Sequence, residues 1–350
     1  MRTLAVRLDS LGDLLVTGPA LRALAATSDH LTLLCGPVGR PAAELLPGVD
    51  EVLCWPAPWI LADPGPVDPD GVEELRAMVA AGRYDRAVVF TSFHQSALPT
   101  ALVLRLAGVP WVGAISVDYP GSLLDLRHRV DEDVPEPERA LSLAVAAGGS
   151  LPDGDDGRLA LRDDVATPPP HLPRPYVVLH PGTSVPARAW PAERFRSAGV
   201  QLGEIGYHVV VTGGPDETEL TAYVADGPDS DVLDLGGLLD LEELAGVLAG
   251  ADAVVVGNTG PAHLAAAVGT PVVSLYAPTV PAVRWAPYGV PRVLLGDQEA
   301  PCRDTRARTC PVAGHPCLTS VTPHDVVTAV IELCGLPVPG TDRLTGRNAS

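Results

Sequence analysis

The sequence contains no lysine, so all 24 of its basic residues are arginine. A Walker-type phosphate loop and a pyridoxal phosphate Schiff base both need a lysine, and both classes are therefore excluded, as is a lysine general base. No two glycines are spaced as G-x-G either, which excludes the dinucleotide-binding fingerprint. We therefore expect any phosphate that this chain binds to contact arginine and backbone amides.

Positive charge and long apolar runs are also scarce. The 24 basic residues face 43 acidic ones, and the net charge of −19 argues against a nucleic-acid or broad anionic-membrane partner. No stretch of 18 apolar residues exists, and Arg7, Asp9 and Asp13 interrupt the first apolar segment, unlike a signal peptide. With six cysteines in 350 residues, we expect reduced thiols and a cytoplasmic location.

Short apolar strands alternate with helices in both halves of the chain, which predicts an α/β protein with parallel sheets covered on both faces. A stiff, proline-rich segment, TPPPHLPRP, separates the halves. Clefts between two such domains favour a ligand that both contact. The predicted organisation is a first domain at 1–165 with an exposed bend at 127–138, a linker at 166–175, a second domain at 176–321, a helix at 322–335 and a flexible tail at 336–350.

The most informative stretch is VVVGNTGPAHLAAAVGTPVVSLYAPT, from Val254 to Thr279. It predicts a buried strand, a tight loop, a helix through Val268 and a second buried strand, and in parallel sheets ligands lie beyond the carboxyl ends of strands. Thr259 is placed to cap the helix and Pro261 suits its first turn, so we expect an anion to bind there. The alternative is that Gly260 and Pro261 only make a well-formed helix start.

A second candidate site, Ser10-Leu11-Gly12-Asp13, follows the first predicted strand. Gly12 allows close approach of a ligand, and the Asp13 carboxylate could take a proton from an acceptor hydroxyl. The alternative is that Asp13 caps a helix that begins at Leu14, with Ser10 making local turn bonds. Asp9 is a weaker rival as the base because it lies nearer the strand.

Two further loops follow predicted strands of the second domain. His180-Pro-Gly-Thr-Ser184, with Arg188 beyond it, offers hydroxyls and a fixed charge for a diphosphate, unless Arg188 is only a surface residue near a helix entry. In Thr212-Gly-Gly-Pro-Asp-Glu217, Glu217 could accept hydrogen bonds from a ribose, or could only favour a helix start.

Cys302, Cys310, His315 and Cys317 do not have the spacing of a standard zinc site, and packed thiols are the main interpretation. A structural zinc stays an alternative. His263 is interpreted as a packed helix residue.

Taken together, these motifs resemble glycosyltransferase family 9, the heptosyltransferases, over nearly the whole chain. The resemblance implies a GT-B fold, in which two Rossmann-like, doubly wound domains face a cleft. It also implies inverting transfer of a sugar, typically from ADP-heptose, to a lipid or saccharide hydroxyl, with no metal or other cofactor. The motifs that carry it are RLDSLGDLLVTGPALRAL, LHPGTSVPARAWPAERF, VVVTGGPDETE, the block from DLGGLLDLEELAG to SLYAPT, and the cysteine-rich tail.

The family's site residues can be placed by position. The resemblance makes Asp13 the general base, with Ser10 and Gly12 on the acceptor side, and Arg188 the charge that stabilises the leaving diphosphate. Phosphate-loop hydroxyls, the ribose-binding acid, the base-contacting backbone, the diphosphate-binding helix start and a following histidine complete the donor site. These donor positions fall on Thr183, Ser184, Glu217, Leu239, Thr259, Gly260, Pro261 and His263.

The sequence departs from the family pattern at two positions. Arg188 stands where lysine is common, and Asn258 where the lipopolysaccharide enzymes often have aspartate. A nucleotide-sugar hydrolase or epimerase on the same fold and a non-catalytic nucleotide-sugar-binding protein are the alternatives. The segment from Trp55 to Leu61, with Arg127 and Arg129, is the one candidate for peripheral membrane contact.

Overall fold

The computed structural model describes residues 1–61, 64–130, 133–226 and 232–334. The chain divides after Val165 into two compact units. The predicted tail at 336–350, the last residue of the predicted helix at 322–335 and two residues of the predicted bend, 131 and 132, lie outside the described residues. No helix in the described ranges has the length and apolar character needed to cross a membrane.

The first unit is built on a parallel sheet with the strand order β3-β2-β1-β4-β5-β6. Strand β4 is buried along its whole length, as expected for a sheet covered on both faces. Its strands are β1 (Arg2–Arg7), β2 (His30–Cys35), β3 (Glu51–Cys54), β4 (Arg86–Val89), β5 (Val112–Ile115) and β6 (Leu126–His128).

Helices cover this sheet, and α1 packs against α5. The core contains Leu4, Val6 and Val89 from the central strands, all at most 1% exposed. The described helices of the unit are α1 (Leu11–Ala25), α2 (Arg40–Ala43), α3 (Pro69–Gly82), α4 (Leu98–Leu106) and α5 (Glu136–Ala146).

The second unit repeats this plan with the strand order β12-β11-β10-β7-β8-β9, again parallel throughout. Strand β10 is apolar and buried along its whole length because it lies in the middle of the sheet. The strands are β7 (Tyr176–His180), β8 (His208–Val211), β9 (Val232–Asp234), β10 (Ala253–Gly257), β11 (Val272–Leu275) and β12 (Arg292–Leu295).

The helices of the second unit pack on a core that includes Phe195, Val255 and Ile331. Thr322 caps the last helix, since its Oγ1 accepts a hydrogen bond from the Asp325 amide at 3.2 Å. The described helices are α6 (Ala192–Glu204), α7 (Thr218–Ala225), α8 (Leu241–Gly250), α9 (Gly260–Ala267), α10 (Ala282–Trp285), α11 (Pro316–Thr319) and α12 (Pro323–Cys334).

Two predictions about local structure are wrong. The predicted bend at 127–138 begins inside strand β6 (Leu126–His128), whose half-buried residues pair with β5 at the sheet edge, and its last residues, from Glu136, belong to helix α5. Helix α1 begins at Leu11 and not at Leu14, because Ser10 occupies the N-cap and the Leu14 amide already donates to the Ser10 carbonyl at 3.1 Å.

Both sheets reverse their winding beside their first strand. From β1 the chain continues to β2 and β3 on one side and returns to β4 on the other, and β7 lies in the same way between β8 and β10. Loops that follow strands on either side of such a switch point diverge and leave room for a ligand. The pairs β1/β4 and β7/β10 are therefore where each unit is expected to bind one.

Candidate functional site

The switch point of the first unit holds Asp13. The Asp13 carboxylate accepts hydrogen bonds from the Ser10 amide at 3.1 Å and from Ser10 Oγ at 2.6 Å. Asp13 is therefore the third residue of α1, bonded back to the residue before the helix, and the interpretation of Asp13 as the cap is wrong. Gly12 is buried in the same turn.

Arg7, at the end of β1, contacts two carboxylates at once. Its Nη2 donates to Asp13 at 2.7 Å and its Nε lies 2.9 Å from Asp9 Oδ2. Across the switch point, Ser92 Oγ accepts from Arg7 Nη2 at 3.0 Å, and the Gln95 amide donates to Asp9. Sequence reasoning missed Arg7 as a site residue, although an arginine that follows apolar residues at the end of a buried strand was a visible signal.

Burial and charge act differently on these two carboxyls. Burial raises the pKa of Asp9 to about 6, even though the Arg7 charge opposes this. Burial would raise the pKa of Asp13 as well, but the Arg7 charge and the hydrogen bonds from Ser10 and Arg7 outweigh it and hold that pKa below its ordinary value. Asp13 is therefore a carboxylate at neutral pH, able to accept a proton.

The switch point of the second unit brings Arg188 to the turn between β10 and α9. Arg188 ends a short 3-10 turn after β7, and its Nη1 donates to the Asn258 carbonyl at 3.1 Å. The buried Asn258 side chain donates to the Ala277 carbonyl at 3.3 Å and accepts from the Ala277 amide at 3.4 Å. An ionised aspartate could not make both bonds, so asparagine at this position ties the ends of β10 and β11 together.

Thr259 precedes α9 in extended conformation, but its hydroxyl does not cap the helix as predicted. Thr259 Oγ1 is buried and has no hydrogen-bond partner within the described part of the chain. Gly260 and Pro261 form the first turn of α9, at the positive end of the helix dipole. A buried hydroxyl without a partner, next to a guanidinium and a helix start, is a suitable contact for an anionic ligand.

Glu217 lies against the loop that follows β7. Its carboxylate accepts from the Gly214 amide at 2.8 Å, and a Cβ added to Gly182 would lie 2.1 Å from it. The predicted donor residues that follow β7, β8 and β10 thus lie along one edge of the sheet. Thr183 Oγ1 accepts from the Val185 amide at 3.2 Å, while Ser184 is exposed.

The remaining predicted donor residues lie at neighbouring positions. Leu239 is half-buried between the turn after β9 and helix α8. His263 is buried in α9, its ring centroid 6.5 Å from that of Trp285. His180, buried at the end of β7, has its pKa lowered to about 4 by burial and is therefore neutral at pH 7.

The segment that contains Cys302, Cys310 and Cys317 is hydrogen-bonded to the 3-10 turn Pro186–Arg188. The Ala187 amide donates to the Arg308 carbonyl at 2.9 Å, and His315 Nε2 lies 3.0 Å from the Ala187 carbonyl oxygen. Cys302 and Cys317 are buried in the core as free thiols. Among residues 1–61, 64–130, 133–226 and 232–334, no three histidine, cysteine or acidic side chains form a group that could hold a metal ion.

The chain is similar in sequence and in structure to several known proteins. Lipopolysaccharide heptosyltransferase 1 of Salmonella typhimurium is 29% identical over 296 residues, which cover 80% of this chain and 90% of that protein. A glycosyltransferase family 9 structure from Veillonella parvula has a TM-score of 0.75 at 19% identity, with 95% and 97% of the two chains covered. An Escherichia coli heptosyltransferase solved with ADP-2-deoxy-2-fluoro heptose has a TM-score of 0.70 at 23% identity, covering 95% and 99%.

The structural matches show that the fold is the GT-B fold, with two Rossmann-like α/β units. The model of glycosyltransferase family 9 (heptosyltransferase) matches residues 72–315, which is more than half of the chain. The chain therefore belongs to glycosyltransferase family 9, and it is a glycosyltransferase.

Proposed function

We propose that this glycosyltransferase transfers a heptose from ADP-heptose, with inversion at the anomeric carbon and without a metal ion, to a hydroxyl of a lipid, saccharide or small molecule. The observation that carries the proposal is the buried, unpartnered Thr259 hydroxyl at the start of α9 beside Arg188, among the described residues. This is a site for a diphosphate, and the heptosyltransferase relatives supply the nucleotide-sugar class.

On the donor side, each part of the nucleotide-sugar has a candidate partner. Arg188 and the start of α9 would neutralise the diphosphate, a task that a divalent metal performs in other enzymes. Glu217 would accept hydrogen bonds from the ribose hydroxyls, because its carboxylate is half-buried and already oriented by Gly214. Thr183, Ser184, Leu239 and His263 would complete the donor site.

On the acceptor side, Asp13 would act as the general base, with Ser10 and Gly12 beside it. Asp13 removes the proton from the acceptor hydroxyl as the oxygen attacks the anomeric carbon of the heptose. The bond from that carbon to the diphosphate breaks, and its electron pair leaves with ADP. Arg188 stabilises the negative charge that develops on the leaving diphosphate.

The test compares Asp13→Asn with the wild-type enzyme. We expect the variant to lose release of ADP from ADP-heptose, with candidate acceptors present, by at least about 100-fold, because general-base catalysis contributes on that scale. ADP affinity, measured by calorimetry, should remain within about twofold of wild type. Unchanged ADP release, or an equal loss of ADP release and ADP affinity, would contradict the assignment of the base.

The same assay separates the alternatives. ADP release at the full rate without any acceptor would indicate a hydrolase, and a change in the sugar without release of ADP would indicate an epimerase. In the segment from Trp55 to Leu61, Trp55 and Ala57 are buried in the core of the first unit, so membrane contact in this proposal for a lipid acceptor falls to the exposed Leu61 with Arg127 and Arg129. Cosedimentation with anionic vesicles would test it.

A further inference from the structure

Asp13 belongs to a cluster of five charged side chains in the first unit, with Arg7, Asp9, Glu136 and Arg139. Arg7 is 1% exposed and Glu136 1% exposed, and the side chains of Asp9 and Asp13 are 8% and 16% exposed. Arg139, 7% exposed, lies 3.3 Å from Glu136 and donates to the Thr91 carbonyl at 2.7 Å. The charged cluster therefore draws on β1, α1 and α5 and on the loop after β4.

The charged cluster contains three carboxylates and two guanidinium groups. With all five groups ionised it carries one excess negative charge, which is costly away from solvent. One carboxyl is therefore expected to take up a proton at a pH above the ordinary pKa of an aspartate. Asp13 has four hydrogen-bond donors within 3.4 Å, from Ser10, Arg7 and Ser92, so it is held as the anion.

Asp9 differs because fewer donors hold its charge. It accepts a hydrogen bond from the Gln95 side-chain amide and forms an ion pair with Arg7, whose Nε lies 2.9 Å from Asp9 Oδ2 without forming a hydrogen bond, and the same guanidinium donates to Asp13. Burial raises the pKa of Asp9 to about 6, with the charges of Asp13 and Glu136 adding to the increase. On strand β6, at the edge of the sheet, burial and the Arg139 charge lower the pKa of His128, so this histidine brings no positive charge to the charged cluster at neutral pH.

We propose that Asp9 is a positioning residue that acts on Asp13 through the shared Arg7 guanidinium. While Asp9 is a carboxylate, the Arg7 guanidinium pairs with both Asp9 and Asp13. It then stabilises the Asp13 anion less, and Asp13 is the stronger base. When Asp9 takes up a proton, Arg7 pairs with Asp13 alone, and Asp13 becomes a weaker base. The enzyme therefore slows in mild acid without losing its general base, and this inference rests on the proposed role of Asp13.

The kinetic consequence is a step in the pH profile, from a higher plateau of activity to a lower one. Release of ADP from ADP-heptose should fall about three- to tenfold as the pH decreases through about 6, to a lower plateau, because a weaker base catalyses proton transfer less well. The probe is ADP-heptose with water in place of the acceptor, since water must also lose a proton to the base.

Two substitutions change this step differently: one should abolish it and the other should move it to higher pH. Asp9→Asn imitates the protonated residue, so its rate should match the lower plateau at every pH from 5 to 8, with no step. Gln95→Glu replaces the donor to Asp9 with a second carboxylate and keeps the oxygen that accepts from the Ser92 amide, so the step should move to higher pH while the upper plateau is retained. Glu73→Gln, at an exposed ion pair of α3, is the matched control and should keep the wild-type profile.

Equilibrium unfolding tests the charge coupling without turnover. A raised pKa in the folded state means that the wild type binds a proton more tightly when folded, so its stability decreases as the pH rises from about 4 to about 6. Asp9→Asn lacks this loss. The thermal unfolding midpoint of Asp9→Asn minus that of the wild type should therefore be roughly 5 °C larger at pH 7.5 than at pH 4.5.

A step near pH 6 that survives in Asp9→Asn, or a midpoint difference that does not change with pH, would overturn the role of Asp9. Full ADP release by Asp13→Asn would instead overturn the proposed function. The two failures are therefore distinguishable.

Discussion

Gly182→Ala should weaken donor binding without unfolding the second unit. The new Cβ would lie 2.1 Å from the Glu217 carboxyl carbon and from both of its oxygens, far inside van der Waals contact. Because these atoms are the end of a flexible side chain, Glu217 moves aside. It then loses the hydrogen bond from the Gly214 amide at 2.8 Å.

The magnitudes for stability and for binding differ. The lost Gly214 bond costs about 1 kcal/mol of stability, and the reduced freedom of the unfolded chain on replacing glycine offsets a similar amount. A hydrogen bond from the ribose to the displaced carboxylate is worth about 1.5–3 kcal/mol, so ADP affinity should fall about 10- to 100-fold. Calorimetry with ADP and thermal unfolding measure the two quantities separately.

A double-substitution cycle makes this prediction sharper. Once Glu217→Ala has removed the carboxylate, adding Gly182→Ala should change ADP affinity no further. Gly203→Ala in α6, where a Cβ meets no atom within 4 Å, is the control and should leave binding unchanged. The reasoning is refuted if Gly182→Ala binds ADP as tightly as wild type while Glu217→Ala does not.

Two further predictions concern the second unit. Thr259→Val removes a buried hydroxyl that has no partner among the described residues, so stability should rise by about 1 kcal/mol while ADP affinity falls about fivefold. Unfolding and calorimetry measure the two quantities. A fall in both would contradict this prediction. Gly246→Ala places a Cβ 2.5 Å from the Thr167 carbonyl oxygen, a backbone atom that cannot rotate away, and should cost about 1–3 kcal/mol in denaturant unfolding. A midpoint equal to that of Gly203→Ala would show that the Thr167 segment yields.

The sheets could be predicted from the sequence because their central strands are short apolar runs between turn residues. Strand β10, AVVVG, is buried throughout, as its composition indicates. Strand β6, LRH, was missed because a three-residue edge strand with two polar, half-buried residues has no distinctive pattern. The α1 start was misplaced because Ser10 and Asp13 both suit a cap, and only the backbone geometry distinguishes them.

The candidate site was predictable only in part, because its contacts join distant segments. Loops after strands could be found from local residues, but the Arg7 bond to Ser92 spans 85 positions and the Arg188 bond to Asn258 spans 70. The register of neighbouring parallel strands sets such distances, and one sequence does not contain it. Thr259 shows the opposite error, in which a good local pattern for a cap is left unused by the backbone.

The most direct test of the central claim is calorimetric binding of ADP, UDP and ADP-heptose to the wild-type enzyme and to Arg188→Ala. ADP and ADP-heptose should bind, UDP should bind more weakly, and Arg188→Ala should reduce ADP affinity at least about tenfold, since it removes the charge that we propose contacts the diphosphate. A preference for UDP, or ADP affinity that is indifferent to Arg188, would contradict the donor site and the assignment of ADP-heptose.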